Sequence, residues 1–331
     1  MMLGGSRRGV VPIAEGARAI YDAAMTGTLI ERAAVVALLL HGRERGLGSW
    51  TALAGELLDN GSALELLRRP AGQQDLFVAD ADTQLAEAVD LLGRWTATGI
   101  DVHSVLDDGY PALLRDIRER PPILFTRGKA ADDQRAIAVV GSRKASERGL
   151  MIARQVARGL CQRSITVVSG LAEGIDATAH EAALEAGGRT VAVIGTGLNN
   201  YYPAKNRHLQ DRISAEGLLI SQFWPDSGAN RAHFPMRNAV MSGYSAATVI
   251  IEAGEQSGSR IQARLALQHG RHVILLRNVL QLQWAKAFTD RPGVTVVDGP
   301  EDLFHAVEAV LAQRERELSP PTRDLAKLVL A

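Results

Sequence analysis

An α/β chain built on a parallel sheet with helices on both faces, preceded by a small all-helical unit, is the fold class the sequence predicts. Three observations carry that expectation. Between Arg135 and Arg277, four Gly/Ser-rich turns each follow a short β-branched apolar run: AIAVV, ITVV, TVAVI and TVIIE. The runs do not alternate polar with apolar residues, as expected of strands covered on both faces. A helical pattern follows each turn, so the segment reads as βα units whose loops gather at the carboxyl ends of the strands, the edge where such sheets bind ligands. Upstream, from about Ile13 to Leu92, apolar residues recur at spacings of three and four, the helical period.

Composition narrows the function classes without choosing one. The 331 residues suit two domains or one large one, and 46% hydrophobic with 22% charged is ordinary for a globular chain. The formal net charge of +0 leaves the case for an anionic partner to local charge distribution. Cys161 is the only cysteine, so no intrachain disulfide can form and a cytoplasmic setting is expected. The amino-terminal MMLGGSRRGVVPIAEG lacks a secretory apolar core. The longest apolar run, AAVVALLL, falls well short of the ~20 residues a membrane span needs, and no membrane role is expected.

The first unit reads as a bundle of short helices, ERAAVVALLLHGRERG and WTALAGELLDNGSALELLRR, broken by Gly and Asp-Asn-Gly. Packing or dimerisation is its plain reading. Contact with a DNA backbone through a helix-hairpin-helix turn is the other, but the tight Gly-x-Gly hairpin is missing and Gly46-Leu47-Gly48 is the nearest segment. DLFVADAD reads as a connection, and LAEAVDLLGRWTATG as a long amphipathic helix that begins the second unit. IDVHSV and PPILFTRG are strands on either side of the short helix PALLRDI.

The first informative loop is Gly141-Ser142-Arg143, where a glycine at a strand end lets backbone N–H groups approach an oxyanion and Ser146 is placed to cap the next helix. Between Gly141 and Gly170 stand Arg143, Lys144, Arg148, Arg154, Arg158 and Arg163 against Glu147 alone. Arg154, Arg158 and Arg163 fit a solvated helix face, whereas Arg143 sits in the loop itself. The second turn places Ser169, Gly170 and Gly174 before a helix expected to start near the capping residue Asp176, with His180 one turn in as a hydrogen-bonded structural histidine. Neither His180 nor Cys161 has partners at ligand spacing, and no metal site is expected.

The third turn, Gly195-Thr196-Gly197, opens like a dinucleotide fingerprint, but Asn200 stands where the third glycine belongs and Pro203 delays the helix, so NAD binding is not expected. In its place come Tyr201 and Tyr202, followed by Lys205 and Arg207. Aromatic faces that stack on bases beside cations that hold phosphates suit a nucleic acid or nucleotide; filling of the loop is the plain alternative. After the strand LLISQ, Arg231, His233, Arg237 and Asn238 follow without an acidic residue after Asp226. Phe234-Pro235 is expected to interrupt the chain before a helix whose first turn carries Arg237 and Asn238. Cations there oppose the helix dipole unless an anion is bound.

The motifs GSRKAS, SGLAEGIDATAH, GTGLNNYYPAKNRHL, FPMRNAVMSG and EAGEQSGSRIQARLAL, with GYPALLRDIRERPPILFTRGK upstream, resemble the DprA/Smf family of DNA-processing proteins in order and spacing, from about Ala34 to Leu276. The resemblance implies an extended Rossmann-like domain that binds single-stranded DNA as a homodimer, protects it and helps load a RecA-type recombinase in natural transformation. It also implies a helical SAM-like module in front. The expected division is therefore a SAM-like module over residues 1–80, a Rossmann-like domain over 81–313 and a tail over 314–331.

By motif, Arg143, Lys205 and Arg207 match basic positions that the family uses on the DNA backbone, and Arg237 and Asn238 match its FPxRN motif. Gly141, Ser142, Ser169, Gly170, Gly174, Gly195, Gly197, Ser257, Gly258 and Ser259 match its phosphate-binding turns. Arg189 is a weaker match to a DNA-binding lysine. No catalytic residue, cofactor or metal is implied.

Two departures stand out. After HVILL the family continues with Pro-Gly and a Gly-Thr-Asn segment that closes part of the cleft, whereas this chain reads RNVLQLQWAKAFTDRPGVTVVDGPEDLF. The helix PEDLFHAVEAVLAQRERE is followed by a short SPPTRD tail, and no winged-helix domain is expected. A mobile-element or phage-defence setting is compatible with this divergence. The rival reading is a nucleotide hydrolase similar to the cytokinin-activating phosphoribohydrolases, whose Gly-Gly-x-Gly-Thr-x-x-Glu signature would correspond to QSGSRIQ. Gln262 stands in place of the catalytic Glu and cannot ionise; Glu252 is the remaining candidate carboxylate, with a structural role at the strand end as its plain reading. A nucleotide-sensing module is a third reading, separable by screening nucleotides against oligonucleotides.

Overall fold

The computed structural model describes residues 27–42, 48–69 and 80–318. Gly46 and Leu47, most of the DLFVADAD connection, residues 1–26 and the tail beyond 318 lie outside the described residues. The first helices are α1 (Gly27–His41), α2 (Trp50–Asn60), α3 (Ala63–Arg68) and α4 (Ala81–Ala97). Ser49, Ser62 and Asp80 start the last three, each accepting a backbone N–H three residues on and so satisfying one orphan donor of the first turn. Glu31 of α1 fastens α3 from outside, accepting from Ser62 Oγ at 2.7 Å and from the Ala63 backbone N–H.

The remainder alternates strands and helices: β1 (Asp101–Ser104), α5 (Ala112–Arg115), β2 (Ile123–Gly128), β3 (Ala136–Val140), α6 (Glu147–Cys161), β4 (Thr166–Ser169), α7 (Ile175–Glu185) and β5 (Thr190–Val193). Then come α8 (Arg207–Glu216), β6 (Leu218–Ser221), α9 (His233–Tyr244), β7 (Ala247–Ile250), α10 (Gly258–Gln268), β8 (His272–Leu276), α11 (Gln283–Lys286), β9 (Val294–Val297) and α12 (Pro300–Leu318). The last helix thus runs through 314–318, residues assigned to the tail from sequence.

Among the described residues the strands form one sheet in the order β1-β2-β6-β5-β4-β3-β7-β8-β9. Strands β3 to β9 pair in parallel, and β2 and β1 extend the β6 edge antiparallel. The run β5-β4-β3-β7-β8-β9 is the doubly wound Rossmann order, with its direction of winding reversing between β3 and β7. β3, β4, β5, β6 and β7 are buried along their whole length, as their unbroken apolar runs require. The extended Rossmann-like class with a helical unit in front is therefore the observed fold.

The helical unit shares the core of the sheet. α1 packs on α4, α3 and β1. Trp50, Trp95, Phe125 and Trp224 pack their rings at centroid distances of 5.2 to 5.9 Å, joining α2 and α4 to β2 and to the loop after β6. Arg32 of α1 meets the buried Asp107 at 2.7 Å.

Two expectations are corrected. α7 starts at Ile175 after Gly174, so Asp176 is not its cap but a buried residue of its first turn. Pro235 does not interrupt α9. It is the third residue of the helix, where its missing N–H costs no intrahelical bond, and Arg237 therefore lies beyond the first turn. The divergent stretch after β8 forms a 3₁₀ turn, α11 and then β9, a strand that was not foreseen. It closes down on the loop after β7: Asn278 donates to Ile251 O, Trp284 Nε1 to Gly254 O, and the Gln283 N–H to Glu255.

Candidate nucleic-acid interface

The loops after β3, β4 and β5 converge with the start of α9 on a small pocket lined by Arg143, Gly170, Ala172, Glu173, Gly195, Tyr202, Pro203, Phe234 and Arg237. Its floor and its rim differ in burial. Gly170, Gly195 and Arg237 are buried; Arg143 and Tyr202 are exposed. The Arg237 guanidinium lies directly against Gly170, so that an added Cβ would sit 1.2 Å from Nη1 and would have to displace it. Gly174, at φ 76°, turns the chain into α7 where a side chain would strike the Ser142 carbonyl.

Arg237 is the unusual group. It is 6% exposed, and its nearest counter-charge is Asp176, at 3.9 Å, too long for a good hydrogen bond. Its Nε has no hydrogen-bond partner among the described residues, and Nη1, the atom nearest Asp176, also contacts the Met241 sulfur. Burial lowers its pKa, as does the positive charge of Arg143, while Asp176 opposes both. Burial also pushes the Asp176 carboxyl up, against Arg237 and the N–H groups of Ala172 and Gly170 that favour its ionised form. Two guanidiniums that repel across a cavity, one of them short of acceptors, form a place for an anion.

The aromatic wall stands beside these charges. Tyr202 and Phe234 pack at 5.4 Å between ring centroids, and the Arg143 guanidinium lies 5.5 Å from the Phe234 ring. Lys205 is exposed and pairs with Glu173 at 2.6 Å, which neutralises the one carboxylate on the pocket wall. Arg207 stacks over Tyr201 at 4.7 Å, and Tyr201 donates to Asp211. Of the two loop tyrosines, Tyr202 is therefore the one left free to meet a ligand.

Other residues singled out from the sequence are committed elsewhere. The Ser169 hydroxyl is buried and donates to Val139 O at 2.6 Å, tying β4 to β3. Ser142 Oγ accepts from the Lys144 N–H within its own loop, and Gly141 lies behind it against Ile175. Gly197 is buried, its N–H held by Ser227 O. Asn238 is buried one position beyond Arg237. Ser257, Gly258 and Ser259 begin α10, where Ser257 Oγ caps the helix, and none of them lines the pocket. Arg189 is held by Asp133 through two bonds at 2.6 and 2.7 Å, with Tyr244 donating to the same carboxylate, so it is a structural residue. His180 is buried against Thr190 at 2.7 Å, and burial drives its pKa down to about 3.

At the β3/β7 switch point, where such folds hold pyrophosphate, the chain places its own carboxylate. Glu252 accepts from the Ser146 N–H at 3.0 Å and from its hydroxyl, at the amino end of α6. Gln262 is 1% exposed and turned toward Thr248 of β7, away from the pocket. Sequence reasoning missed Phe234, Glu173 and the Asp176–Arg237 pair as site elements. FPMRN contained the signal for Phe234, but only the fold places it over Arg143.

The family profile described as DNA recombination-mediator protein A matches residues 101–303. The chain belongs to that family. It is 35% identical over 232 residues to Protein Smf of Synechocystis sp., covering 67% of this chain and 58% of that protein. To DNA processing protein DprA of Streptococcus pneumoniae it is 42% identical over 175 residues, covering 52% of this chain and 61% of the relative. The chain thus spans less than two thirds of the length of these two relatives. The X-ray structure of DNA processing protein A from Streptococcus pneumoniae superposes with a TM-score of 0.58 at 28% identity, over 84% of this chain and 95% of that one. A DNA processing protein A from Helicobacter pylori, described for its single-stranded DNA binding mode, shares the family fold at a TM-score of 0.57 and 22% identity, over 63% of this chain and 96% of its own. Among the described residues, no helix is long and apolar enough to cross a membrane.

Proposed function

We propose that the chain binds single-stranded DNA in the cytoplasm, protects it, and passes it as a homodimer to a RecA-type recombinase. The observation that carries the DNA contact is the facing of Arg143 and the acceptor-poor Arg237 across one pocket with an aromatic wall. Cations that hold phosphates beside a ring that meets bases are the chemistry of a single strand, whose bases are free to stack. Membership of a family of DNA-processing proteins supports the same reading.

Anisotropy titrations with single- and double-stranded oligonucleotides across salt test it. Single strands are expected to bind more tightly, with affinity falling by ~0.7 in log slope for each phosphate contact. Equal affinity for duplex, or a flat salt response, counts against the proposal.

The nucleotide-hydrolase alternative makes the opposite demand on the loop after β7. With Gln262 buried and Glu252 bonded to Ser146, incubation with nucleoside 5′-monophosphates is expected to release no free base. Base release that disappears in Glu252→Gln would overturn that assignment.

A further inference from the structure

We infer that Glu252 is a positioning residue for Arg143: reaching across from the loop after β7, it fixes the loop that presents the Arg143 guanidinium to a strand. The inference rests on the single-stranded DNA reading and goes beyond it. Residues 141–146 connect β3 to α6 and carry Arg143 at an exposed position. A long side chain on a free loop must be ordered at the moment of binding, a cost taken out of affinity.

Glu252 meets part of that cost in advance. Helices that begin on a serine commonly complete the cap with a Glu or Gln three residues on, whose side chain reaches back to the N–H of the capping residue. Ser146 caps α6 through the Gly149 N–H at 3.0 Å, but the residue three on is Gly149 itself, which has no side chain. Glu252 supplies the carboxylate from 106 positions away. It accepts the Ser146 N–H at 3.0 Å and the Ser146 hydroxyl, and its Oε2 lies 2.5 Å from where a Cβ on Gly149 would stand. The glycine makes room for it. At the other end of the loop the Glu252 carbonyl lies 2.8 Å from a Cβ built on Gly141. Arg143 is thus carried between two points that both meet Glu252, and the Ser142 carbonyl beside it accepts the Ile175 N–H at 3.2 Å. The stretch after β8 holds Glu252 in turn: Asn278 donates to Ile251 O, Trp284 to Gly254 O, and the Gln283 N–H to Glu255.

Charge alone makes the opposite demand. A carboxylate beside a loop that meets phosphates repels them, so its removal would tighten binding if its charge were all that mattered. The test uses the full chain, an unmodified oligothymidylate, and amide hydrogen exchange over residues 142–146. Glu252→Ala is expected to weaken single-strand binding roughly tenfold, but less than about twofold when Arg143 is already alanine, since both changes act through one group. A folding defect would cost the same in both backgrounds. Glu252→Gln, whose amide oxygen still accepts the Ser146 N–H, is expected to recover most of the loss. Gly149→Ala, which keeps the carboxylate but sets a methyl group against it, is expected to weaken binding as well. Exchange in the loop is expected to quicken in Glu252→Ala and to stay near the parent's in Glu252→Gln. Tighter or unchanged binding by Glu252→Ala, or the same loss with and without Arg143, overturns the inference while leaving single-strand binding intact. If the parent binds no single strand yet exchange quickens in the alanine variant alone, the DNA reading falls and Glu252 keeps its hold on the loop. Unchanged exchange in that case removes both.

Discussion

Asp176→Ala is expected to cost about 3–5 kcal/mol of stability, the usual penalty for removing one partner of a buried charge pair. Arg237 is buried, and Asp176, also buried, is its only nearby counter-charge among the described residues. The same carboxylate accepts the Gly170 N–H, so alanine also orphans a backbone donor at the pocket floor. Asp176→Asn, which keeps an acceptor, is expected to lose less. Denaturant unfolding reads both. Inorganic phosphate is expected to raise the melting temperature of Asp176→Ala more than that of the parent, because an anion in the pocket supplies the missing charge. A loss below about 1 kcal/mol for the alanine variant would mean that Arg237 is compensated in some other way.

His180, on the same helix, adds a pH dependence. Burial first, and then the charge of Arg237, lowers its pKa from 6.5 to about 3. With a folded value below the unfolded one, its contribution to stability is complete above about pH 6.5 and is lost as the pH falls toward 3.

What was legible in the sequence follows the range of the interaction. AIAVV and HVILL became β3 and β8 over those same residues, because an unbroken β-branched run has few other ways to be buried. Ser146 capped its helix as expected, since the bond reaches only to Gly149. The pocket itself was half legible. Glycine-bearing turns after strands marked its loops, but which hydroxyls face the cleft depends on partners far along the chain: Ser169 on Val139, Ser146 on Glu252. The Arg237 argument singled out a residue that lines the pocket, but from a premise that the fold does not keep. A cation at a helix start was the signal, yet α9 begins earlier, and what makes Arg237 unusual is a distant aspartate that no local pattern pairs with it. The stretch after β8 was unreadable by resemblance because its sequence departs from the family. Its anchoring through Trp284 and Asn278 to the β7 loop is a property of the fold.

Arg143 is expected to be the most sensitive single position for DNA binding. It is exposed at the pocket rim, and its guanidinium lies over the Phe234 ring with no salt bridge to a carboxylate among the described residues. Its two-pronged donor geometry can therefore grip a phosphate with parallel hydrogen bonds, which a lysine ammonium cannot reproduce. A hydrogen bond to a charged group contributes about 1.5–3 kcal/mol, so Arg143→Ala should lose on the order of tenfold to a hundredfold in affinity for single strands. Arg154 is the control. It too is exposed, but it lies on α6 in a groove shared with Phe304 of α12, outside the pocket. Its truncation removes the same charge from the net balance while leaving the pocket whole, and should cost much less. Both variants must melt like the parent, since a folding defect would imitate a binding defect. If Arg154→Ala loses affinity and Arg143→Ala does not, the strand runs along the α6 face and the pocket at the strand ends is not where it binds.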